Sequence, residues 1–363
     1  MVMPPELTTG WDVGGAHLKA AQVDRSGRVH AAVQMPCRLW LGMEHLHRAI
    51  EQALAGLQAS RRHGITMTGE LADLFVDRVD GVGRIAEAMR SFFARDELLV
   101  YAGAAGFVSA ADAVSQAREV ASANWHASAR YTAARCAQGL LVDIGSTTTD
   151  LVPFVRGEPR AIRVTDDERL AAGELVYTGV TRTPVMAIAR SVACDGVRVP
   201  LMAELFATSA DVHRLTGALP GDADQQPAAD GRGKSDEESA RRLARMLGRD
   251  ASDAGLDTWR RVARELSEQQ LRCIHDAAAV VLSREQQMTG AAPTDATAYV
   301  ALADDAPVVG AGVGRFLAVA LAERLARPYI DFASLIEGTP AVRECGARCA
   351  PAVAVAALLA DAN

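Results

Sequence analysis

Two short segments of the sequence combine a carboxylate with small or hydroxyl-bearing residues at a spacing suited to phosphate chemistry. The first, DVGG, contains Asp12, Gly14 and Gly15, and the second, DIGSTTTD, runs from Asp143 to Asp150. Each segment follows an apolar run typical of a strand. A turn after such a strand leaves backbone N–H groups that can cradle phosphate oxygens, and the hydroxyls of residues 146–149 add donors. These segments therefore predict two anion-binding turns with aspartates beside them.

The residue types suggest a role for each position in these turns. Asp12 and Asp143 are predicted Mg²⁺ ligands, with Asp150 as an alternative, because Mg²⁺ takes one or two carboxylates together with phosphate oxygens. Lys19 is predicted to act in catalysis as the cation that neutralises a departing phosphate oxygen. The residues predicted to hold the phosphates are Gly14, Gly15, Ser146, Thr147, Thr148 and Thr149. Each motif alone also fits an ordinary β-turn or hairpin edge.

Two more glycine-containing segments are candidate anion sites. GAGVGRF places Gly310, Gly312 and Gly314 between a predicted strand and a predicted helix, an arrangement that serves either phosphate binding or close packing. Lys234 precedes a basic helix in which Ser235 is the predicted N-cap of a capping box. This helix start serves structure, or it presents Lys234 to an anion.

Rigid strands are needed to position these turns, and two similar halves of the chain provide them. TTGWDVGGAHLKAAQVDRSGRV and GLLVDIGSTTTDLVPFVRGEPR each indicate a strand, a tight turn, a strand and a glycine turn. Strands and helices alternate through the rest of the first half, which predicts an α/β fold. The predicted ranges are an N-terminal domain over 1–137, a C-terminal domain over 138–363, a helical insertion around 168–290 and a mobile loop over 218–235.

Composition excludes several classes of partner. A net charge of −7 over 363 residues, with no basic block, argues against nucleic acid. No signal peptide and no apolar run long enough to span a bilayer are present, which predicts no membrane partner and a cytoplasmic location. The six cysteines are scattered without a C-x-x-C pair and are predicted to be reduced thiols. Composition leaves homo-oligomerisation open.

Four segments together carry a resemblance to a known family. They are MTGELADLF at 67–75, VDIGSTTTDLVPF at 142–154, TDDERLAAGELVYTGVTRTPV at 165–185 and DGRGKSDEESARRLARML at 230–247. The chain resembles the methanofuran-biosynthesis synthase family, in the hydantoinase/oxoprolinase branch of the actin, Hsp70 and sugar kinase superfamily. The resemblance implies a two-domain actin-like ATPase fold, with ribonuclease H-like domains and a central interdomain cleft.

The resemblance also implies a transferase reaction with small-molecule substrates. Members of that family are taken to join 5-(aminomethyl)furan-3-ylmethyl diphosphate to the phenol oxygen of a γ-glutamyl-tyramine-type acceptor, releasing diphosphate. They occur in methanogens and in methylotrophs with a tetrahydromethanopterin-linked C1 pathway, where the acceptor could carry tyrosine. Two alternatives stay open: an ATP-dependent kinase of a small metabolite, and a hydantoinase-like subunit with no activity of its own.

Such a reaction needs a base and an acceptor site. A phenol has a pKa of about 10, so a nearby carboxylate would help to remove its proton. Glu70, Asp166 and Glu174 are the candidate bases, and Tyr177 and Arg182 are candidates for binding the acceptor's ring and carboxylate. Each base has a structural alternative: a helix cap for Glu70, a turn for Asp166, and an ion pair with Arg169 for Glu174. Tyr177 would equally fit a core position.

Overall fold

The computed structural model describes residues 6–287 and 302–362, and the chain divides into two compact units. The ranges are Met1–Leu141, Val152–Arg169 and Ile330–Asn363 for unit 1, and Val142–Leu151 and Leu170–Tyr329 for unit 2. The predicted boundary at residues 137/138 lies near the first crossing between the units. The C-terminal residues from 330 onward, however, lie in unit 1. The predicted end of the helical insertion, residue 290, lies outside the described residues.

Strands occupy both halves of the chain. They are β1 (Leu7–Val13), β2 (His17–Asp24), β3 (Val29–Pro36), β4 (Arg62–Met67), β5 (Glu97–Tyr101), β6 (Phe107–Ser109), β7 (Gln138–Ile144), β8 (Thr149–Val155), β9 (Glu158–Pro159), β10 (Leu175–Val176), β11 (Ser191–Cys194), β12 (Val197–Pro200), β13 (Val308–Ala311) and β14 (Tyr329–Asp331).

Helices cover these strands and fill the insertion. They are α1 (Met43–Ala55), α2 (Arg78–Phe92), α3 (Ala117–Val120), α4 (Asn124–Ala133), α5 (Asp166–Ala172), α6 (Val185–Ile188), α7 (Ser209–Leu215), α8 (Asp236–Met246), α9 (Leu256–Gln287), α10 (Arg315–Arg324), α11 (Pro340–Arg348) and α12 (Ala350–Asp361). Within the described ranges, no helix is both long enough and apolar enough to cross a membrane.

The sheet of unit 1 has the order β3-β2-β1-β4-β5-β6. The first three strands form an antiparallel meander, whereas β1, β4 and β5 run parallel to one another. Every residue of β1 is buried, as expected for a central strand covered on both faces. The turn that leaves β1 is therefore anchored to a rigid strand.

The alanine-rich C-terminal helix α12 packs directly on β1. A Cβ at Gly10 would lie 2.1 Å from the Ala352 carbonyl oxygen and 2.5 Å from the Ala356 nitrogen, so the strand and the helix meet backbone to backbone. Small residues on both elements permit this approach. Burial of nearly every residue of α12 explains why the chain returns to unit 1 at its end.

The second sheet has the order β10-β8-β7-β13-β14, with β9 paired to β8, and the chain passes between the units within β7 and β8. In unit 2, the helical insertion has its own apolar core, in which Trp259 of α9 is almost completely buried. The predicted α/β class and the predicted repeat of strand, turn and strand are both present. The predicted capping box of Ser235 and Glu238 at the start of α8 is confirmed.

Candidate functional site

The first predicted anion turn joins β1 to β2 in unit 1. The Gly14 N–H donates to the His17 carbonyl oxygen at 3.0 Å, and a Cβ at Gly14 would lie 2.8 Å from that same oxygen. Around Gly15, by contrast, no described heavy atom lies within 4 Å of the position that a Cβ would take. Gly14 therefore makes the turn tight, and Gly15 leaves its outer side open.

Asp12 and Lys19, which the sequence assigned to separate roles, form one ion pair beside this turn. They face each other across β1 and β2, and Lys19 Nζ donates to Asp12 Oδ2 at 3.2 Å. Asp12 is 2% exposed, and its Oδ1 has no hydrogen-bond partner within the described residues. The same is true of the buried hydroxyl of Thr66, the register partner of Asp12 on β4. A buried oxygen without a hydrogen-bond partner destabilises the folded protein unless a cation or a water molecule binds it.

Two of the three candidate bases, Glu70 and Asp166, are brought together in unit 1 by residues outside the predicted motifs. Ser122 Oγ lies 2.9 Å from Glu70 Oε1 and 3.1 Å from Asp166 Oδ2. Arg78 Nη2 donates to the same Asp166 oxygen at 2.7 Å. Asp166 begins α5 instead of forming a turn, and the N-cap of α2 is Asp77, so capping does not explain Glu70.

The third candidate base, Glu174, has an environment of a different kind. Its side chain is completely buried in unit 2, and Arg284 of α9 donates to its Oε1 at 2.8 Å. The Glu174 carbonyl also accepts the N–H of Leu151 on β8. A buried ion pair of this kind holds neighbouring elements together and would be disrupted by proton transfer. This ion pair is a structural explanation for Glu174, and its role as a base stays a prediction.

The second predicted anion turn joins β7 to β8 in unit 2. The Gly145 N–H donates to the Thr148 carbonyl at 2.9 Å, which closes the turn, and residues 145–148 are half-buried. Thr149 differs from its neighbours because it is fully buried and its hydroxyl donates to the Thr178 carbonyl at 2.7 Å. The hydroxyls of Ser146, Thr147 and Thr148 are therefore more accessible than that of Thr149. The buried Thr149 hydroxyl instead ties the end of the turn to residue 178.

The segment GELVYTGVTRTP, quoted above for the family resemblance, packs against this turn. The N–H groups of Thr181 and Arg182 both donate to the Ser146 carbonyl, at 3.2 and 2.9 Å. A Cβ at Gly179 would lie only 2.4 Å from the Thr147 nitrogen and 2.5 Å from the Ser146 carbonyl carbon. Residues 179–182 therefore hold the backbone of the turn in one place.

The late glycine-rich segment meets the same turn from β13. The Gly314 N–H donates to the Ile144 carbonyl at 2.8 Å. Gly312 has φ of +81°, and a Cβ there would lie 2.5 Å from Asp143 Oδ1. Gly310 instead packs beneath Tyr329, whose hydroxyl would be 2.5 Å from a Cβ. The turn at residues 145–148, the segment 179–182 and the glycine-rich segment 310–314 therefore come together where β7 ends.

A buried chain of hydrogen bonds ties the helical insertion to this convergence. On α9, Gln270 Nε2 donates to Thr178 Oγ1 and to the Gly179 carbonyl, both at 2.8 Å. Gln270 Oε1 must then be an acceptor, so His213 Nε2, 2.7 Å away on α7, carries a proton. His213 Nδ1 is buried with no hydrogen-bond partner in the described residues, and the ring meets Phe316 edge-on. No sequence motif marks Gln270 or His213, because helices far apart in the chain bring them together.

His213 is expected to make the stability of the protein depend on pH. Burial, opposed by the hydrogen bond with Gln270, lowers the pKa of His213 to about 4, whereas an unfolded histidine titrates near 6.5. Between these values the unfolded chain binds a proton that the folded chain does not, so stability is complete above about pH 6.5 and declines as the pH falls toward 4. The expected slope from this residue is up to about 1.4 kcal/mol per pH unit.

Urea unfolding across this pH range measures that slope. The His213→Gln variant should show a smaller dependence than the wild type, and His47→Gln, at an exposed position in α1, is the matched control. Equal slopes for wild type and His213→Gln would contradict the prediction.

The predicted acceptor residues lie on the segment that clamps the second turn. Tyr177 is 59% exposed, so it is not a core residue. Arg182 is half-buried, and its backbone is bonded to Ser146. Burial lowers the pKa of Arg182, and the nearby phenol of Tyr177 acts in the opposite direction. An aromatic ring and a guanidinium therefore lie close together beside the turn.

Lys234 belongs to an ion network of the helical insertion. Its Nζ donates to the Asp224 carbonyl at 2.6 Å and lies 3.3 Å from the Asp224 carboxylate, which also receives Arg214. On α8, the fully buried Arg242 binds Asp211 in the same region. These contacts are a structural explanation for Lys234, and both the mobility of the loop 218–235 and the role of Lys234 in anion binding stay predictions.

Within residues 6–287 and 302–362, no three His, Cys, Asp or Glu side chains come together as a preformed metal site. A Mg²⁺ site built from one or two carboxylates and phosphate oxygens does not need such a cluster. The cysteines of the chain are all free thiols, as predicted.

Comparison with known proteins connects the chain to a family and to two curated relatives. The family model of hydantoinase/oxoprolinase proteins matches residues 61–361. A Methanocaldococcus jannaschii protein named (4-{4-[2-(gamma-L-glutamylamino)ethyl]phenoxymethyl}furan-2-yl)methanamine synthase is 28% identical over 242 residues, which cover 66% of this chain and 71% of that protein. A Methanococcus vannielii protein of the same name is 40% identical over 73 residues, or 20% of this chain and 32% of that protein.

A solved structure shows the fold independently of sequence. The nucleotide-free structure of acetone carboxylase, from a study of ATP-dependent acetone carboxylation, aligns with a TM-score of 0.53 over 97% of this chain and 70% of that chain. The two sequences are only 11% identical, so the likeness concerns the fold alone. With the sheet topology described above, it confirms the predicted two-domain actin-like ATPase fold.

Proposed function

This chain belongs to the hydantoinase/oxoprolinase family, and we propose that it is a synthase of methanofuran or methylofuran biosynthesis. The proposed reaction joins 5-(aminomethyl)furan-3-ylmethyl diphosphate to the phenol oxygen of a γ-glutamyl-tyramine or γ-glutamyl-tyrosine acceptor. The name of the two methanogen relatives describes a product with a phenoxymethyl-furan ether, which is the bond that this reaction would form.

The chemistry requires one bond to form and one to break at the same carbon. The phenol oxygen forms a C–O bond to the furan methylene carbon, and the bond from that carbon to the diphosphate oxygen breaks. The electron pair leaves with the diphosphate, and the phenol proton passes to a base. The furan ring stabilises positive charge on the methylene carbon, so the protein's main tasks are to stabilise the leaving group and to position the phenol.

The convergence at the end of β7 is the observation that carries this proposal. The turn at residues 145–148 has a cradle of backbone and accessible hydroxyls, and the segment 179–182 holds it rigidly. Rigid hydrogen-bond donors that point at a developing anion stabilise it more than mobile donors do, because rigid donors need no reorganisation during the reaction. We assign the diphosphate to this turn, with Ser146, Thr147 and Thr148 as its side-chain donors.

In unit 1, the Asp12 and Lys19 pair supports a role in charge compensation. Lys19 is held at a fixed position by Asp12, so its ammonium is a localised positive charge beside the Gly14 turn. A lysine ammonium is a compact cation of the kind that can neutralise charge on a phosphate oxygen. The open side of Gly15 leaves space for ligand atoms next to the turn.

Both turns fit the predicted divalent cation by the chemistry of their donors. Asp12 presents a buried carboxylate oxygen with no hydrogen bond from the described residues. In unit 2, only a glycine fits beside Asp143 Oδ1, because a Cβ at Gly312 would fill the space next to that oxygen. Each unit thus has its own candidate ligand for Mg²⁺, Asp12 in unit 1 and Asp143 in unit 2, with Asp150 as the alternative, and a bound ion would neutralise charge on a diphosphate.

The acceptor would be recognised beside the same turn of unit 2. Tyr177 presents a largely exposed ring for stacking on the phenol, and Arg182 supplies a guanidinium suited to the glutamyl carboxylate. The backbone of Arg182 is bonded to the turn itself, so a ligand bound there would lie next to the diphosphate donors.

The direct test is to incubate the purified protein and Mg²⁺ with the furan diphosphate and a panel of tyramine and tyrosine glutamyl conjugates. Mass spectrometry should detect the aryl ether, and a coupled assay should detect an equal amount of released diphosphate. Parallel reactions with ATP test the kinase alternative. A phosphorylated product would support a kinase, and activity that appears only with a co-purifying larger chain would support the subunit. The absence of ether with every phenol would overturn the proposed function.

A further inference from the structure

Buried side chains hold both polar groups of the Gly179 backbone. Thr183 Oγ1 accepts the Gly179 N–H at 2.8 Å and donates to the Gly179 carbonyl at 3.1 Å. Gln270 Nε2 donates to the same carbonyl and to Thr178 Oγ1, both at 2.8 Å. Thr183 is 4% exposed and Gln270 is 1% exposed. A buried polar network whose hydrogen bonds are made fixes the positions of its members, so Gly179 has little freedom to move.

The residues that follow Gly179 hold the carbonyl groups of the anion turn. The N–H of Val180 donates to the Gly145 carbonyl at 3.1 Å, and the next two N–H groups donate to the Ser146 carbonyl. The N–H groups of Thr147 and Thr148 have no hydrogen bond within the described residues. The turn therefore gives its carbonyls to the segment 179–182 and keeps two backbone donors that can bind an anion.

Helix α7 supports Gly179 along two separate paths. Ser209 Oγ accepts the Thr183 N–H at 3.2 Å, and the Ser209 N–H donates to the Thr183 carbonyl at 2.8 Å. Four residues later, His213 Nε2 donates to Gln270 Oε1, which fixes the direction in which the Gln270 amide faces. Both paths begin on α7 and meet at Gly179, and all of these residues belong to unit 2.

Resting on the proposed function, we propose that Gln270 and Thr183 are positioning residues for the diphosphate. They act through Gly179, because a Cβ at Gly179 would lie 2.4 Å from the Thr147 nitrogen and 2.5 Å from the Ser146 carbonyl carbon. A displacement of Gly179 would move the backbone of the turn, and donors bind an anion best when they are already in place. The helical insertion thus keeps the anion turn in its binding conformation.

The apolar core of the insertion provides a contrast with Gln270. Leu266 lies one helical turn before Gln270 on α9 and is fully buried in that core. An apolar side chain can therefore stabilise α9 by burial alone. A buried amide loses its hydration, and its hydrogen bonds to Thr178 and Gly179 offset that loss only in one arrangement. Gln270 therefore fixes the position of the segment 179–182.

Hydrogen–deuterium exchange with mass spectrometry tests this link without any ligand. Gln270→Met keeps a side chain of similar length but has no donor for the Gly179 carbonyl. Exchange in peptides that cover residues 178–183 should become at least about 10-fold faster, because the segment loses its support. The control is Val192→Ala, a fully buried position of β11 in the same apolar core. It should lower the unfolding temperature and leave exchange at 178–183 as in the wild type.

Two outcomes of the exchange experiment would overturn the proposal. One is a wild-type exchange rate at residues 178–183 in Gln270→Met. The other is equal acceleration in Gln270→Met and Val192→Ala, which would mean that Gln270 only stabilises the insertion.

Isothermal titration calorimetry with Mg²⁺ and diphosphate tests the effect on the anion turn. Thr183→Val keeps the shape of the side chain without the hydroxyl and should weaken binding by about 10-fold, as should Gln270→Met. Thr183→Ser keeps the hydroxyl and should bind within about 2-fold of the wild type. Val192→Ala should also bind as the wild type does. Equal affinities for Thr183→Val and Thr183→Ser would contradict the positioning role of the hydroxyl.

The two measurements separate this proposal from the proposed function. A wild type that does not bind Mg²⁺ and diphosphate would remove the diphosphate from this turn, and the proposed function would fail with it. The exchange rates would still decide whether Gln270 holds the segment 179–182. If Gln270→Met does not fold, the comparison of Thr183→Val with Thr183→Ser decides the proposal, because both measurements apply to that pair.

Discussion

Asp143→Asn is expected to reduce diphosphate release by at least about 10³-fold, equivalent to about 4 kcal/mol of transition-state stabilisation. The carboxylate lies at the end of β7, where the turn at residues 145–148, the segment 179–182 and the glycines of the late turn converge. Asparagine has the same shape but no charge, so a cation held there would lose most of its attraction. The fold should survive, because nothing is added to the space beside Gly312.

The measurement is a steady-state assay of diphosphate release over a range of Mg²⁺ concentrations, with thermal unfolding as the check on folding. The control is Asp257→Asn at the exposed start of α9, which makes the same change of charge elsewhere in unit 2. An Asp143→Asn variant that turns over at the wild-type rate would refute the assignment of Asp143 to the cation. A variant that fails to fold would show instead that the carboxylate is structural.

Gly179→Ala is expected to weaken the binding of Mg²⁺-diphosphate by about 10²-fold or more. Its methyl group would lie 2.4 Å from the Thr147 nitrogen and 2.5 Å from the Ser146 carbonyl carbon, both of which are backbone atoms of the anion turn. The turn must shift to admit it, because backbone atoms cannot rotate away as a side chain can. Hydrogen-bond donors that are out of place contribute much less to binding the anion. The overpacking itself should lower the free energy of unfolding by about 1–3 kcal/mol.

Isothermal titration calorimetry with diphosphate and Mg²⁺ measures the affinity directly, without needing the organic substrates. Gly221→Ala is the matched control, because no described heavy atom lies within 4 Å of its would-be Cβ and it lies in the loop 218–235. Unchanged affinity in Gly179→Ala would show that the clamp does not position the donors. Equal losses in both variants would point to a general effect of the substitution.

Local patterns in the sequence were sufficient to predict the strands around the two anion turns and the turns themselves. The strand, turn and strand around Asp12 recurs around Asp143, and each turn contains a glycine or hydroxyls where the chain reverses. Such signals depend on residues adjacent in the chain, so the sequence alone allowed both turns, the late glycine segment and the helix cap at Ser235 to be predicted. The family resemblance likewise depended on contiguous segments.

Such local patterns could not assign a role to each acidic residue. Glu70, Asp166 and Glu174 are all carboxylic acids, and only their surroundings distinguish the two that contact Ser122 from the one in a buried ion pair with Arg284. Those surroundings come from distant parts of the chain: Ser122 is 52 residues from Glu70 and 44 from Asp166. Arg284 is 110 residues from Glu174. No local window of sequence contains both partners.

By itself, the sequence determined where the chain turns, which residues can carry charge or donate to phosphate, and which family the chain resembles. Only the tertiary structure decided which of those residues share a site. The folded chain buries Glu70 beside Ser122, clamps the second turn with residues 179–182, and links that turn through Gln270 to His213, 57 residues earlier. The physical reason is that protonation, rigidity and access depend on burial and on contacts across the fold, whereas residue type and turn propensity are properties of neighbours in the chain.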